Sequence, residues 1–310
     1  MTTIVFPGQG SQYLGMAEDF YNKYQEAKEV FNIVESATNM PIKEIIFNDP
    51  NKVLNLTKYT QLCIFSVSMA IYRVFCKEFK NTHFLDINTM LGHSLGEYSA
   101  LVASNVMKIE DCASILKIRG ELMQESYPEN QSGMAAVLGL DCNDLEAIFM
   151  KHSLNLDIAN DNAPGQVVIS GISNEINSAE KILIENGAKK IIKLNVSAAF
   201  HSRIMNLAQE KLKNELSNIK FYDSEISIIS NYTANFSKNS DIIFHNLVNQ
   251  MANKVRWNES IKLLEKNDEK NIIEIGPGKV LTGLIKRISS KFHVYNLNKV
   301  SDLDIIKNAI

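Results

Sequence analysis

The 310-residue sequence has no uninterrupted apolar run of the roughly 18 residues that suggest a membrane span, so no membrane-crossing segment is expected. Its start, Met1-Thr2-Thr3-Ile4-Val5-Phe6, has neither the basic residues nor the long apolar stretch of a secretory signal. Cysteine is scarce. Cys63, Cys76, Cys112 and Cys142 form no CxxC pair and no zinc-type spacing, which fits reduced thiols in a cytoplasmic protein and gives no metal site. Neither charge sign dominates. With 32 Lys and Arg against 35 Asp and Glu, the net charge of −3 excludes the basic excess of a nucleic-acid binder. Internal repeats, low-complexity tracts and evident linkers are absent as well.

What is present is an ordinary globular composition, 45% hydrophobic and 22% charged. Short apolar strands alternate with helical periodicity. Thr3 to Phe6 reads as a buried strand ending in the turn Pro7-Gly8-Gln9-Gly10, followed by a helix from about Gly15 to Ala37. Gln61 to Phe79 has apolar residues at helical spacing. Ile87 to Leu91 reads as a strand, Leu95 to Ser104 as a helix, and Glu110 to Gln124 as a helix with acids favourable in its first turn. This alternation predicts a parallel α/β sheet. The middle differs. Met134 to Leu140, a helix capped by Asp141, strands Leu156 to Asn160 and Gln166 to Ser170 around a turn at Asp161 to Gly165, a helix Asn174 to Asn186 and a strand Lys189 to Val196 give the order βαββαβ. That is the ferredoxin-like pattern. The expected division is therefore a discontinuous domain, residues 1–129 and 197–310, with an insert at 130–196. The helix after His201 shows Met205, Ala208, Leu212 and Leu216 on one face.

Gly92-His93-Ser94-Leu95-Gly96 matches GxSxG between a strand and a helix. There the glycines relieve crowding around a strained serine, and the Leu95 amide lies at a helix N-terminus where it can face an oxyanion. An ordinary glycine turn is the alternative reading. A serine needs a base. Of His83, His93, His152, His201, His245 and His293, His93 neighbours Ser94 and should diverge from it, whereas His201 sits at a strand exit before a helix. Asp111, Asp141, Asp144, Asp157 and Asp161 all lie between Ser94 and His201, and spacing does not choose among them as a third member. Arg119 projects from the apolar stripe of its helix among Ile115, Leu116, Leu122 and Met123. It is either a clamp for a substrate carboxylate or one half of a structural ion pair. Gly8-Gln9-Gly10 lacks the third glycine of a dinucleotide loop, because Tyr13 stands there. Gly276-Pro277-Gly278-Lys279 fails as a phosphate loop, because Ile273 and Val280 break the pattern.

Phe6-Pro7-Gly8-Gln9-Gly10-Ser11-Gln12, Gly92-His93-Ser94-Leu95-Gly96-Glu97-Tyr98, Arg119-Gly120, Gly165-Gln166-Val167-Val168-Ile169-Ser170-Gly171, Ala199-Phe200-His201-Ser202 and Glu274-Ile275-Gly276-Pro277-Gly278 follow one another along nearly the whole chain. Together they resemble the malonyl-CoA:acyl carrier protein transacylase family of fatty acid synthesis. The resemblance implies an α/β-hydrolase-like domain with a ferredoxin-like insert. It implies Ser94 as the acyl-carrying nucleophile, His201 as its base, and Gln250 as the residue whose main-chain carbonyl orients His201. Gln9 and the Leu95 backbone N–H would form the oxyanion site. Arg119, with Met123, Phe200 and Asn162, would bind the malonyl group. Phe200 before His201 resembles the malonyl-selective branch, and Ala198 departs from the histidine common in polyketide relatives. The implied partners are malonyl-CoA and acyl carrier protein, with no cofactor, no metal, no nucleic acid and no membrane, and the expected state is a cytoplasmic monomer. Lys189, Lys190 and Lys193 are candidates to meet an acidic carrier protein, against the alternative of a plain solvated strand edge. The rival functions are a free-standing polyketide acyltransferase, a carrier-protein acyl hydrolase and a non-catalytic carrier-binding module.

Overall fold

The computed structural model describes residues 1–80, 86–128 and 130–309, so His83 lies outside the described residues. The chain opens with β1 (Thr2–Phe6), then α1 (Glu18–Lys23), α2 (Gln25–Thr38), α3 (Ile42–Phe47), α4 (Thr57–Glu78), β2 (Ile87–Gly92), α5 (Leu95–Ala103) and α6 (Ile109–Glu125). The middle is β3 (Ser132–Leu138), α7 (Cys142–His152), β4 (Asp157–Ala163), β5 (Gln166–Ile172), α8 (Ser173–Glu185) and β6 (Lys190–Lys193). A 3₁₀ turn (Arg203–Met205) leads to α9 (Asn206–Leu216), β7 (Ser227–Ile229), β8 (Phe236–Ser237), α10 (Ser240–Val248), α11 (Trp257–Lys266), β9 (Asn271–Ile275), α12 (Val280–Ile288), β10 (His293–Leu297) and α13 (Asp302–Ala309).

Two separate sheets result. One has six strands in the order β10-β9-β1-β2-β7-β8, all parallel except the short edge strand β8. Every residue of β1 is buried, as a central parallel strand covered on both faces requires. The other sheet is antiparallel, in the order β4-β5-β3-β6, and its elements follow one another as βαββαβ, the order read from the sequence. Asp141 caps α7 as anticipated, in a capping box with Asp144.

Several boundaries differ from expectation. The helix expected from Gly15 to Ala37 is two helices, because Tyr24 between them is extended at φ −120°, ψ 130°. Apolar spacing cannot register a single extended residue. The helix expected after His201 begins only at Asn206, behind the 3₁₀ turn. β4 runs through Asp161 and Asn162 to Ala163, so the turn to β5 is tighter than expected and places Gly165 at φ +66°. The polar string Asp-Ile-Ala-Asn-Asp-Asn-Ala hides a strand because β4 does not only face its own core. Asn160 bridges to Val255, and the Asp161 amide donates to the Val255 carbonyl at 3.0 Å. α4 holds no uninterrupted apolar run of roughly 18 residues, yet by length and mean composition alone it is long and apolar enough to cross a membrane. It is a core helix here, 78% buried in its most apolar window and packed against α2, α5 and α6.

The site is positioned by the carboxyl edge of the six-stranded sheet. β1, β2 and β7 run parallel and side by side, so the loops after Phe6, Gly92 and Ile229 open on the same edge, where open α/β sheets bind ligands. The elbow after β2 lies so close to β1 that a Cβ on Gly96 would stand 2.0 Å from the Phe6 carbonyl oxygen.

Candidate active site

Ser94 occupies the sharp turn between β2 and α5 at φ 51°, ψ −104°, a conformation unusual for a residue with a side chain. The turn is held at both peptide units. The Ser94 amide donates to Asn231 Oδ1 at 2.6 Å, and its carbonyl accepts from Gln250 Nε2 at 2.9 Å. Asn231 follows β7 and is itself tied to the strand before the elbow, with Nδ2 donating to the Gly92 carbonyl at 2.6 Å.

His201 arrives from the segment after β6. Its backbone is left-handed at φ 55°, and its amide donates to the Met251 carbonyl at 3.2 Å. Its Nε2 stands 2.8 Å from Ser94 Oγ. Its Nδ1 faces the carbonyls of Gln250 at 3.0 Å and Asn253 at 3.2 Å, which makes Nδ1 the protonated nitrogen and leaves Nε2 as the acceptor. None of the five aspartates weighed as a third member is hydrogen-bonded to the imidazole. Asp161 pairs with Asn258, Asp157 with Arg203, and Asp141 with the Gly165 amide. Burial first, and then the Arg119 charge, lower the His201 pKa from 6.5 to about 3, so the ring is neutral. His93 diverges from Ser94 as expected. Its Nε2 pairs with Asn162 Oδ1 at 2.8 Å and its ring packs near Trp257.

Arg119, on α6, is only 1% exposed. Its Nη1 donates to Gln61 Oε1 at 2.7 Å, and its Nη2 to Gln250 Oε1 at 3.0 Å and to Ser94 Oγ at 3.1 Å. Its Nε has no partner, and no carboxylate lies within ion-pair distance among the described residues. The alternative of a structural ion pair is therefore not what the fold provides. A buried guanidinium held by neutral acceptors has the charge and the donors to take up an anion.

Gln9, Gln61, His93, Ser94, Leu95, Arg119, Met123, Met134, Asn160, Leu194, Val196, Phe200 and His201 line one partly open cavity of about 90 Å³. The Leu95 amide opens α5, and neither it nor the Gln9 amide donates to an acceptor among the described residues. The Gln9 side chain donates to Thr57 Oγ1 at 3.3 Å. Among the expected substrate-binding residues, Met123 and Phe200 line the cavity and Asn162 does not. Asn162 is committed to His93, while Asn160, two residues earlier on the same face of β4, reaches the wall. The structure thus gathers Ser94, His201, Arg119, Gln9, Leu95, Met123, Phe200 and Gln250 around one site.

Among the contributors that sequence reasoning missed are Gln61, Glu97, Asn160, Asn231 and the Asn253 carbonyl. Gln61 had a signal, as a buried amide beside the apolar Leu62, Ile64 and Phe65 of its helix. Glu97 stood in the quoted Gly96-Glu97-Tyr98 string with no role assigned. Its carboxylate is 1% exposed and accepts from Gln250 Nε2 at 2.7 Å and from the Asn231 amide at 3.2 Å. Burial raises its pKa from 4.5 to about 7, opposed by those hydrogen bonds and by the Arg119 charge. Asn231 had no signal, since it acts only once β7 lies beside β2.

Comparison with known proteins finds matches over nearly the whole chain. Residues 3–301 match the acyl transferase domain family. The malonyl CoA-acyl carrier protein transacylase of Bacillus subtilis (strain 168) is 37% identical over 309 residues, 99% of this chain and 95% of that protein. An acyl carrier protein S-malonyltransferase from Vibrio cholerae superposes with a TM-score of 0.93 at 32% identity, covering 98% of this chain and 99% of the other. A malonyl-transacylase solved in complex with its type II PKS acyl-carrier protein superposes with a TM-score of 0.94 at 32% identity, covering 100% of this chain and 99% of the other.

Proposed function

The chain belongs to the malonyl-CoA:acyl carrier protein transacylase family, and from that premise we propose how its own residues move malonyl from coenzyme A to the thiol of acyl carrier protein. The protein is an [acyl-carrier-protein] S-malonyltransferase that supplies malonyl-carrier protein for fatty acid synthesis. The observation that carries the mechanism is the position of Ser94 Oγ, 2.8 Å from a neutral imidazole and 3.1 Å from a buried guanidinium with no anion of its own.

The reaction is ping-pong. Malonyl-CoA places its free carboxylate on Arg119, whose planar guanidinium still has an unpartnered Nε–H to offer it. Ser94 Oγ attacks the thioester carbonyl while His201 Nε2 takes the hydroxyl proton. The Gln250 and Asn253 carbonyls on Nδ1 stabilise the resulting imidazolium, the role an aspartate plays elsewhere. The Leu95 and Gln9 amides receive the oxyanion, each worth roughly 3 kcal/mol. As the tetrahedral adduct collapses the C–S bond breaks, His201 returns the proton to the departing coenzyme A sulfur, and malonyl remains as an ester on Ser94. The carrier's phosphopantetheine thiol then enters. His201 takes its proton, the sulfur attacks the ester, and the proton goes back to Ser94 Oγ as the C–O bond breaks. Met123, Met134, Leu194, Val196 and Phe200 give the cavity apolar walls that restrain water, which would otherwise turn transfer into hydrolysis.

The scheme uses no metal or redox cofactor. We read the enzyme as a cytoplasmic monomer without a membrane partner, and its near-balanced charge supports a reading without nucleic acid. The experiment is intact-mass measurement after mixing with malonyl-CoA. Wild type gains one malonyl group and Ser94→Ala gains none. A Ser94→Ala variant that still acquires the group defeats the mechanism. Comparing release to water with transfer to thiol, on the same labelled enzyme, separates a transferase from an acyl hydrolase.

A further inference from the structure

We propose that Glu97 is a positioning residue of the transfer reaction, because one of its oxygens joins the two clamps on the Ser94 elbow and, through Gln250, sets the acceptor that aims Arg119. Glu97 lies one helical turn after Ser94, and both donors reach the same atom, Oε2: Gln250 Nε2 at 2.7 Å and the Asn231 amide at 3.2 Å. These are the two residues that hold the Ser94 peptide units, Asn231 through Oδ1 and Gln250 through Nε2. The elbow's φ of 51° and ψ of −104° persist only if the surroundings over-determine them, and the carboxylate ties those surroundings together.

The link to Arg119 follows from the amide of Gln250. Its Nε2 faces two acceptors, Glu97 Oε2 and the Ser94 carbonyl, and its Oε1 faces one donor, Arg119 Nη2 at 3.0 Å. Only one orientation of the amide satisfies all three. Without Glu97 the amide keeps two of its three orienting contacts, the Ser94 carbonyl and the Arg119 donor, and its hold on the guanidinium loosens. The fork that must meet the far end of malonyl would then lose its alignment. The Gln250 main-chain carbonyl, which faces His201 Nδ1 at 3.0 Å, belongs to the same residue. The cost of burying the charge also fits a positioning task. Glu97 makes no ion pair among the described residues, so an apolar side chain would serve a purely packing role more cheaply.

The proposal rests on the reading of Ser94 and Arg119 given above, and wild-type malonylation of Ser94 tests that reading before any Glu97 variant is made. The experiment measures kcat and KM for malonyl-CoA and acetyl-CoA in wild type, Glu97→Ala, Glu97→Gln and Gln250→Ala. In Glu97→Ala the malonyl-to-acetyl ratio of kcat/KM is expected to fall about tenfold or more, mostly in kcat, since sub-ångström misplacement costs rate. Glu97→Gln keeps an acceptor in the same place and recovers most of the ratio. Gln250→Ala, which keeps the carbonyl on His201, reproduces the loss, and adding Glu97→Gln to it changes the ratio no further. If Glu97→Ala does not fold, the Gln250→Ala and double-variant comparison decides alone. A parallel fall with both substrates, an unchanged ratio, or a double variant clearly worse than Gln250→Ala overturns the proposal.

Discussion

Arg119 Nη2 and Ser94 Oγ are 3.1 Å apart, so the nucleophile touches the cation expected to hold the far end of its substrate. The same oxygen lies 2.8 Å from His201 Nε2. One hydroxyl is thus bracketed by a proton acceptor and a fixed positive charge, and a short diacid thioester spans the distance between reacting carbon and charge.

Removing the cation should change which acyl group is moved more than whether one is moved. Arg119→Ala leaves a malonyl carboxylate buried without a partner, a loss of about 3 kcal/mol or more and therefore on the order of a hundredfold in kcat/KM for malonyl-CoA. Acetyl transfer should be spared or improved. Steady-state kinetics with both thioesters checks this, and equal losses would refute the clamp.

The pH dependence of stability should carry two opposed slopes. His201 is held down from 6.5 to about 3, so the unfolded chain binds more protons across that window. Its contribution is complete above pH 6.5 and is lost as pH falls toward 3. Glu97 is pushed up from 4.5 to about 7, so the folded chain binds more protons there, and its contribution declines as pH rises from 4.5 to 7. Glu97→Gln removes the second slope. Relative to wild type, the variant should gain on the order of 3 kcal/mol between pH 4.5 and 7. Denaturant unfolding at several pH values measures it, and parallel curves would contradict it. Because His201 stays neutral, kcat/KM should also show no acid limb centred near pH 6.5.

The approach of the elbow to β1 predicts a severe effect from one methyl group. In Gly96→Ala the new Cβ meets the Phe6 carbonyl oxygen at 2.0 Å and its carbon at 2.8 Å, backbone atoms of a central strand that cannot rotate away. A loss of about 3 kcal/mol or more is expected, read as a fall in Tm of roughly 5 to 10 °C or as failure to accumulate folded protein. A Tm within a degree of wild type would show that the elbow has slack.

Lys190 and Lys193 lie exposed on β6, an edge strand, with Lys189 just before it. Lys193 borders a groove that shares Met134, Leu194 and Val196 with the catalytic cavity, so an acidic carrier protein docked there could send its arm inward. Lys189→Glu with Lys190→Glu should raise the carrier-protein KM several-fold and flatten its salt dependence while leaving Ser94 malonylation by malonyl-CoA intact. Unchanged values on both counts would return these lysines to an ordinary solvated edge.

The sequence alone was sufficient wherever the information was local. The strand, turn and helix around Ser94, the buried side of α6 that carries Arg119, and the order of the antiparallel unit all follow from spacing within a few residues. The tertiary structure decided what depends on distant segments meeting. It decided that carbonyls of Gln250 and Asn253, and no aspartate, face His201, that Asn160 and not Asn162 reaches the cavity, and that Asn231 and Glu97 secure the elbow. The reason is geometric. Ser94 and Asn231 are 137 residues apart and become neighbours only because β7 runs parallel beside β2, a pairing that no local pattern of apolar residues encodes.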